Sequence, residues 1–168
     1  SNETTDAVDA PVELTAEDLA GYVIRRPDNV KGESITVTIE ATKKLRDEIS
    51  NVFGVQLELL DDWHKASEEL PATAKEILVG KTNRTEVQNA LSVIKAKDFA
   101  ILFENERIII TAGTDAGVMD AVNYFIENYI KADEKKITLT EHLFEVVGFQ
   151  YPIGSISING VALTEYKI

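Results

Sequence analysis

The chain has 168 residues, 44% hydrophobic and 27% charged, a size and usage that fit one globular domain plus a tail or second small piece. Its formal charge of −12, from 29 acids against 17 bases, repels phosphate backbones and anionic bilayers, so neither nucleic acid nor a membrane surface is an expected partner. Cysteine is absent, which removes disulfides, thiolate metal sites and a thiol nucleophile.

In chain order, residues 1–18 are acidic and small, and are expected to form a flexible leader that gains order only near Leu14 or Leu19. Tyr22-Val23-Ile24 begins a strand that Pro27-Asp28-Asn29 stops. From Ser34 to Phe53, apolar residues recur at spacings of three and four and Gly54 follows, the pattern of an amphipathic helix. Its start is ambiguous, because Ile35 to Ile39 also alternates like a strand. Val55 to Leu60 alternates with period two and predicts a half-exposed strand. A polar connection from Asp61 to Thr73 carries Trp63 and His64, after which Glu76 to Gly80 predicts a short apolar strand.

Lys81 to Arg84 turns the chain into a helix over Thr85 to Ala96, with Thr85 the natural N-cap. Phe99 to Phe103 and Arg107 to Thr111 are joined closely enough to predict an antiparallel hairpin. Gly113-Thr114-Asp115-Ala116-Gly117 opens a helix running to about Ile130, and Ile137 to Leu139 and Phe144 to Val147 read as extended. The expected fold is therefore α/β (α+β): a mixed sheet of about five strands with one hairpin, packed by three helices. Residues 19–150 are taken as the domain and 151–168 as an extension, a candidate for the opening of a following repeat. The motif L-x-x-Y-x-I, at Leu19 to Ile24 and again at Leu163 to Ile168, suggests that repeat.

No pattern in the sequence marks a catalytic residue, cofactor site or metal site. Gly80-Lys81-Thr82 would need a glycine at position 75 to cradle a phosphate, and Lys75 stands there. At Gly113 to Gly117 the free N–H groups of a helix start invite an anion, but Asp115 is expected to cap that helix itself. His64 beside Asp61 and Asp62 reads as solvated loop rather than metal ligand, and His142 lies in another loop. Gly154-Ser155 lacks a nucleophile elbow, and 29 acids give no specific carboxylate pair. Trp63, the single tryptophan, is expected at the edge of a core, with stacking on a sugar face as the other reading.

Tyr22-Val23-Ile24 with Pro27, the helix ending in Phe53-Gly54-Val55, the run Glu76 to Arg84, and Ile108 to Gly117 followed by Ala121-Val122 occur in an order that resembles one family. They are similar to the N-terminal α/β domain preceding the catalytic barrel of β-N-acetylhexosaminidases and α-glucuronidases, over roughly residues 20–131. The resemblance implies a zincin-like topology without the protease metal site, with catalysis belonging to the following barrel. The residues after Ile130 are too few for such a barrel, which takes about 250 residues.

The resemblance implies a non-catalytic accessory domain of a larger carbohydrate-active protein, extracellular or at a bacterial cell surface. Its expected partners are neighbouring domains of the same polypeptide, with carbohydrate as a further candidate. A structural or adhesion module in a tandem surface array is the alternative. Asn83, Arg84, Thr114, Asp115 and Trp63 are the expected interface or glycan contacts. The first residues are Ser1-Asn2 rather than Met, consistent with a removed export signal.

Overall fold

The computed structural model describes residues 9–148 and the backbone of residues 155–158 and 161–164. The strands are β1 (Pro11–Leu14), β2 (Val23–Arg26), β3 (Leu59–Asp61), β4 (Glu76–Val79), β5 (Phe99–Glu104), β6 (Arg107–Ala112), β7 (Ile130–Lys131), β8 (Lys136–Thr140), β9 (Phe144–Val147), β10 (Ser155–Ile158) and β11 (Val161–Thr164). The helices are α1 (Ala16–Leu19), α2 (Thr36–Phe53), α3 (Thr85–Leu91) and α4 (Asp115–Tyr129). Mixed α/β content is thus as the sequence predicts, though the main sheet has eight strands, in the order β10-β11-β9-β5-β6-β4-β2-β3. Among the described residues no helix is long and apolar enough to cross a membrane.

β3, β2, β4 and β6 all run parallel, and β5 is the antiparallel member that joins β6 to β9. Parallel strands need crossovers, and these helices settle on both sheet faces. On one face Ile24, Ile77, Val79, Ile108 and Ile110 pack beneath α2 and α4, which present Leu45, Ile49, Val122 and Phe125. On the other, Leu78 and Ile109 meet Val87 and Ala90 of α3. β4 and β6 are covered on both sides and buried throughout, which is why Ile77-Leu78-Val79 and Ile108-Ile109-Ile110 are unbroken apolar runs. Each such aliphatic side chain contributes roughly 1.5–3 kcal/mol on full burial.

The hairpin joins β5 to β6 through Asn105 and Glu106, both at positive φ (55° and 66°) as a two-residue turn of matching twist requires. α2 begins at Thr36 after Ile35, whose side chain makes no capping bond. It ends where Gly54 adopts φ 71°. In α3 the cap position falls to Arg84 rather than Thr85, which is already the first helical residue. That helix stops at Leu91, short of the expected Ala96. Ala96 instead passes tightly against Gly113, where a Cβ would lie 2.4 Å from the Ala96 carbonyl oxygen. The strand expected over Val55–Leu60 joins the ladder only at Leu59–Asp61.

The N-terminal segment differs most from expectation. Within the expected leader, β1 pairs antiparallel with β8, Pro11 opposite Thr140 and Leu14 opposite Ile137, in a separate three-stranded sheet, β1-β8-β7. Thr15 then caps α1 in a reciprocal capping box with Asp18. Alternation of Val12 and Leu14 inward, with Glu13 paired to Lys136 (2.6 Å), accounts for the order. Residues 1–8 lie outside the described residues. At the other end, β11 runs parallel to β9 and extends the same sheet. The two copies of L-x-x-Y-x-I begin on unlike elements, Leu19 closing a helix and Leu163 in a strand, and Glu165 to Ile168 lie outside the described residues.

Candidate functional site

The four parallel strands place their following loops along one edge of the sheet. From β2 the chain crosses by α2 to β3 on one side, whereas from β4 it proceeds by α3 toward β5 and β6 on the other, with α2 and α3 on opposite faces. The direction of winding therefore reverses between β2 and β4. Loops diverge at such a point and leave a crevice outside the carboxyl ends of the strands, the usual ligand position in open α/β sheets. A cleft of about 610 Å³ lies there, lined by the segments after β2 (Asp28 to Lys31), β3 (Asp62 to His64) and β4 (Lys81, Asn83), and by Gln88 and Leu91 of α3. That volume lies within the roughly 300–1,000 Å³ typical of small-molecule sites.

Asp62 holds the walls together. Its Oδ1 accepts the Asp28 N–H (2.8 Å) and its Oδ2 the Asn83 N–H (2.8 Å), while its carbonyl accepts Asn83 Nδ2 (2.9 Å). Three loops are thereby tied through one buried carboxylate. Trp63 comes next, its backbone N–H donated to Asp61 Oδ1 (3.0 Å), and the residue is 64% exposed at the cleft. The expected core-edge position of this ring is therefore incorrect. Asp61 and Asp62 turn the backbone so that residue 62 points into the protein and residue 63 away from it.

Beneath the cleft, on the α3 face, lies an ionic cluster. Glu76 opens β4 and accepts Arg25 Nε (2.7 Å), Arg84 Nε (3.2 Å), Arg84 Nη2 (2.8 Å) and Arg107 Nε (2.9 Å). Arg107 also reaches Glu86 (3.0 Å) and the carbonyls of Pro71 and Ala72, while Arg25 reaches the carbonyl of Asp61. Burial pushes the Glu76 carboxyl up, but the hydrogen bonds from Arg84 and Arg107, the Arg84 charge and the Arg25 bond outweigh it and hold the group at about 2. The cluster is a buried strut. Arg84, expected at a contact surface, is 5% exposed and points into it.

Thr114 and Asp115 follow β6 on the same edge but outside this cleft. Thr114 caps α4, accepting the Gly117 N–H (3.0 Å). Asp115, expected to cap its own helix, instead caps α2: it accepts the N–H groups of Val37 and Thr38 and the Thr38 hydroxyl (3.1, 2.8 and 2.7 Å). This supplies the cap that Ile35 lacks. Both residues border a crevice of only about 10 Å³, room for a single water at most. Of the five expected contacts, Trp63 and Asn83 meet at the cleft, Thr114 and Asp115 stand beside it, and Arg84 lies underneath.

The sequence reading missed Asp28, Asn29, Lys31, Gln88 and Leu91. Asp28-Asn29 reads in sequence only as a strand stop, and Gln88 and Leu91 only as part of the helix over Thr85 to Ala96. Their shared signal is positional, since each follows the carboxyl end of a parallel strand or faces that end. Among the described residues no group of three or more His, Asp or Glu is placed to hold a metal ion. Compared with known proteins, the chain matches no family model and no curated protein.

Proposed function

We propose that this chain is a non-catalytic accessory domain of a larger secreted or surface-bound carbohydrate-active protein, meeting glycan or a neighbouring domain through the edge that carries Trp63. One observation carries the reading: an exposed tryptophan, its backbone N–H anchored on the Asp61 carboxylate, at the mouth of a polar cleft at the winding reversal of the sheet. An indole offers a flat apolar face, and the amides and carboxylate beside it offer hydrogen bonds, a combination suited to sugar rings. Resemblance to the domain preceding the barrel of β-N-acetylhexosaminidases and α-glucuronidases supports the same context. So does the engagement of the buried acids: Glu76 is bound by guanidinium groups and Asp62 by N–H groups. In the tandem-array alternative, the repeated hexapeptide would mark equivalent elements, whereas its two copies begin in a helix and in a strand.

The test uses aryl N-acetylglucosaminide and aryl glucuronide substrates. The chain alone is expected to release no aryl alcohol. Turnover that disappears on changing a single acid would overturn the non-catalytic reading.

A further inference from the structure

We infer that the cleft beside Trp63 is a binding site for an uncharged pyranose of an oligosaccharide, a ligand that brings hydroxyl donors and carries neither acid nor amine. The inference rests on the accessory-domain reading for its carbohydrate context and adds to it a ligand class, read from the hydrogen-bonding capacity of the walls.

The side-chain amide donors of the cleft are engaged, as is Lys81. Gln88 Nε2 donates to the Thr82 carbonyl (2.7 Å), which fixes the amide and turns Oε1 into the unengaged atom. Asn29 Nδ2 donates to Asp28 Oδ2 (3.2 Å), again leaving Oδ1 as an acceptor. His64 Nδ1 lies 2.9 Å from the Lys65 carbonyl, which can only accept, so Nδ1 bears the hydrogen. Lys81 Nζ is held by both carboxylate oxygens of Glu33 (3.0 and 2.8 Å). What the walls offer is therefore mostly acceptors, Asp28, Asn29 Oδ1 and Gln88 Oε1, beside the Lys31 ammonium and the Trp63 indole N–H as donors.

An acceptor-rich wall selects a ligand with many O–H groups, because unmatched acceptors lose their water without replacement. Charge narrows the class further. Asp28 and Lys31 put opposite charges on the same space, and Lys81 is paired with Glu33, so neither an acid nor an amine gains a net advantage. The Trp63 ring supplies a flat face for the C–H side of a pyranose. The N–H groups of Asp28 and Asn83 are bound by Asp62 and are not available to cradle a phosphate.

Isothermal titration calorimetry of the chain with neutral tetrasaccharides (cello-, chito-, xylo- and galacto-configured) tests the assignment, each taken to about 10 mM so that millimolar affinity is detected. Polygalacturonate and chitosan oligomers serve as anionic and cationic arms. The expected result is saturable binding of at least one neutral tetrasaccharide, with a matching shift in the emission of the single tryptophan. Trp63→Ala, checked for an unchanged circular dichroism spectrum, abolishes it, and Gln88→Leu weakens it about fivefold, the worth of one hydrogen bond. Binding of no neutral probe, preference for a charged arm, or full affinity in Trp63→Ala overturns the site. Such failures leave the accessory-domain reading standing, since that reading falls only to aryl-glycoside turnover by the chain itself.

Discussion

Replacing Glu76 with Gln removes the one charge that three arginines share while keeping the side chain's shape. In the native protein four hydrogen bonds from Arg25, Arg84 and Arg107 converge on this carboxylate, whose side chain is 7% exposed. Removing one partner of a buried ion pair costs about 3–5 kcal/mol, because the other charge stays buried without compensation. Linkage gives an independent figure. The carboxyl is lowered from 4.5 to about 2, and at 1.36 kcal/mol per unit this corresponds to about 3 kcal/mol near neutrality.

Because the folded-state value is depressed, this stabilisation is fully present above the unfolded value of 4.5 and disappears as the pH falls toward 2. Urea denaturation of wild type and Glu76→Gln, followed by circular dichroism, is expected to show a gap of about 3 kcal/mol at neutral pH. At about pH 3 the gap shrinks to roughly half. Thermal midpoints at neutral pH should differ by on the order of 10 °C for a chain of this length. A variant within about 1 kcal/mol of wild type, or a gap independent of pH, would refute the assignment of the cluster as a buried strut.

Gly80→Ala is expected to destabilise by about 1–3 kcal/mol in the same assay, since φ is 91° and the new Cβ would lie 2.7 Å from Thr38 Cγ2. Asp115→Ala should cost about 1–2 kcal/mol through the lost cap on α2, yet leave calorimetric saccharide titrations unchanged, because the residue is outside the cleft. Tyr22 is pushed up from 10.0 to about 12 by burial and by the charges of Glu106 and Asp18. Its contribution is therefore complete below pH 10.0 and is lost as the pH rises through about 12. In an alkaline absorbance titration, Tyr22→Phe should remove one late-ionising phenol.

The elements set by local periodicity were legible. Ile77-Leu78-Val79 and Ile108-Ile109-Ile110 announce central strands, and the spacing from Thr38 to Phe53 announces α2, because burial on one or both faces imprints directly on neighbouring positions. The roles of Arg84 and Asp115 were not. Arg84 finds Glu76 across a strand–loop–helix turn, and Asp115 caps a helix 77 residues earlier; neither relation leaves a local pattern. Trp63 misled for a different reason. The rule that loop aromatics pack inward concerns averages, whereas here Asp62 takes the inward position and leaves the ring outside. The cleft depends on the order of the strands, which no single segment encodes.

The pairing of β1 with β8 has a kinetic side. Pro11 opposite Thr140 joins segments from opposite ends of the described domain, whereas the β5–β6 hairpin closes over two residues. Loop-closure entropy rises with the length of chain enclosed, so the hairpin forms early and the small sheet zips late, after β4 and β6 have gathered the core. Its strands share no ladder with the main sheet, so it can open without unzipping that sheet. Native-state hydrogen exchange would then reveal two cooperative units, with the amides of Val12 and Leu139 released at lower free energy than those of Ile109. The segment that composition marks as a loose leader would be the last clasp to close and the first to open.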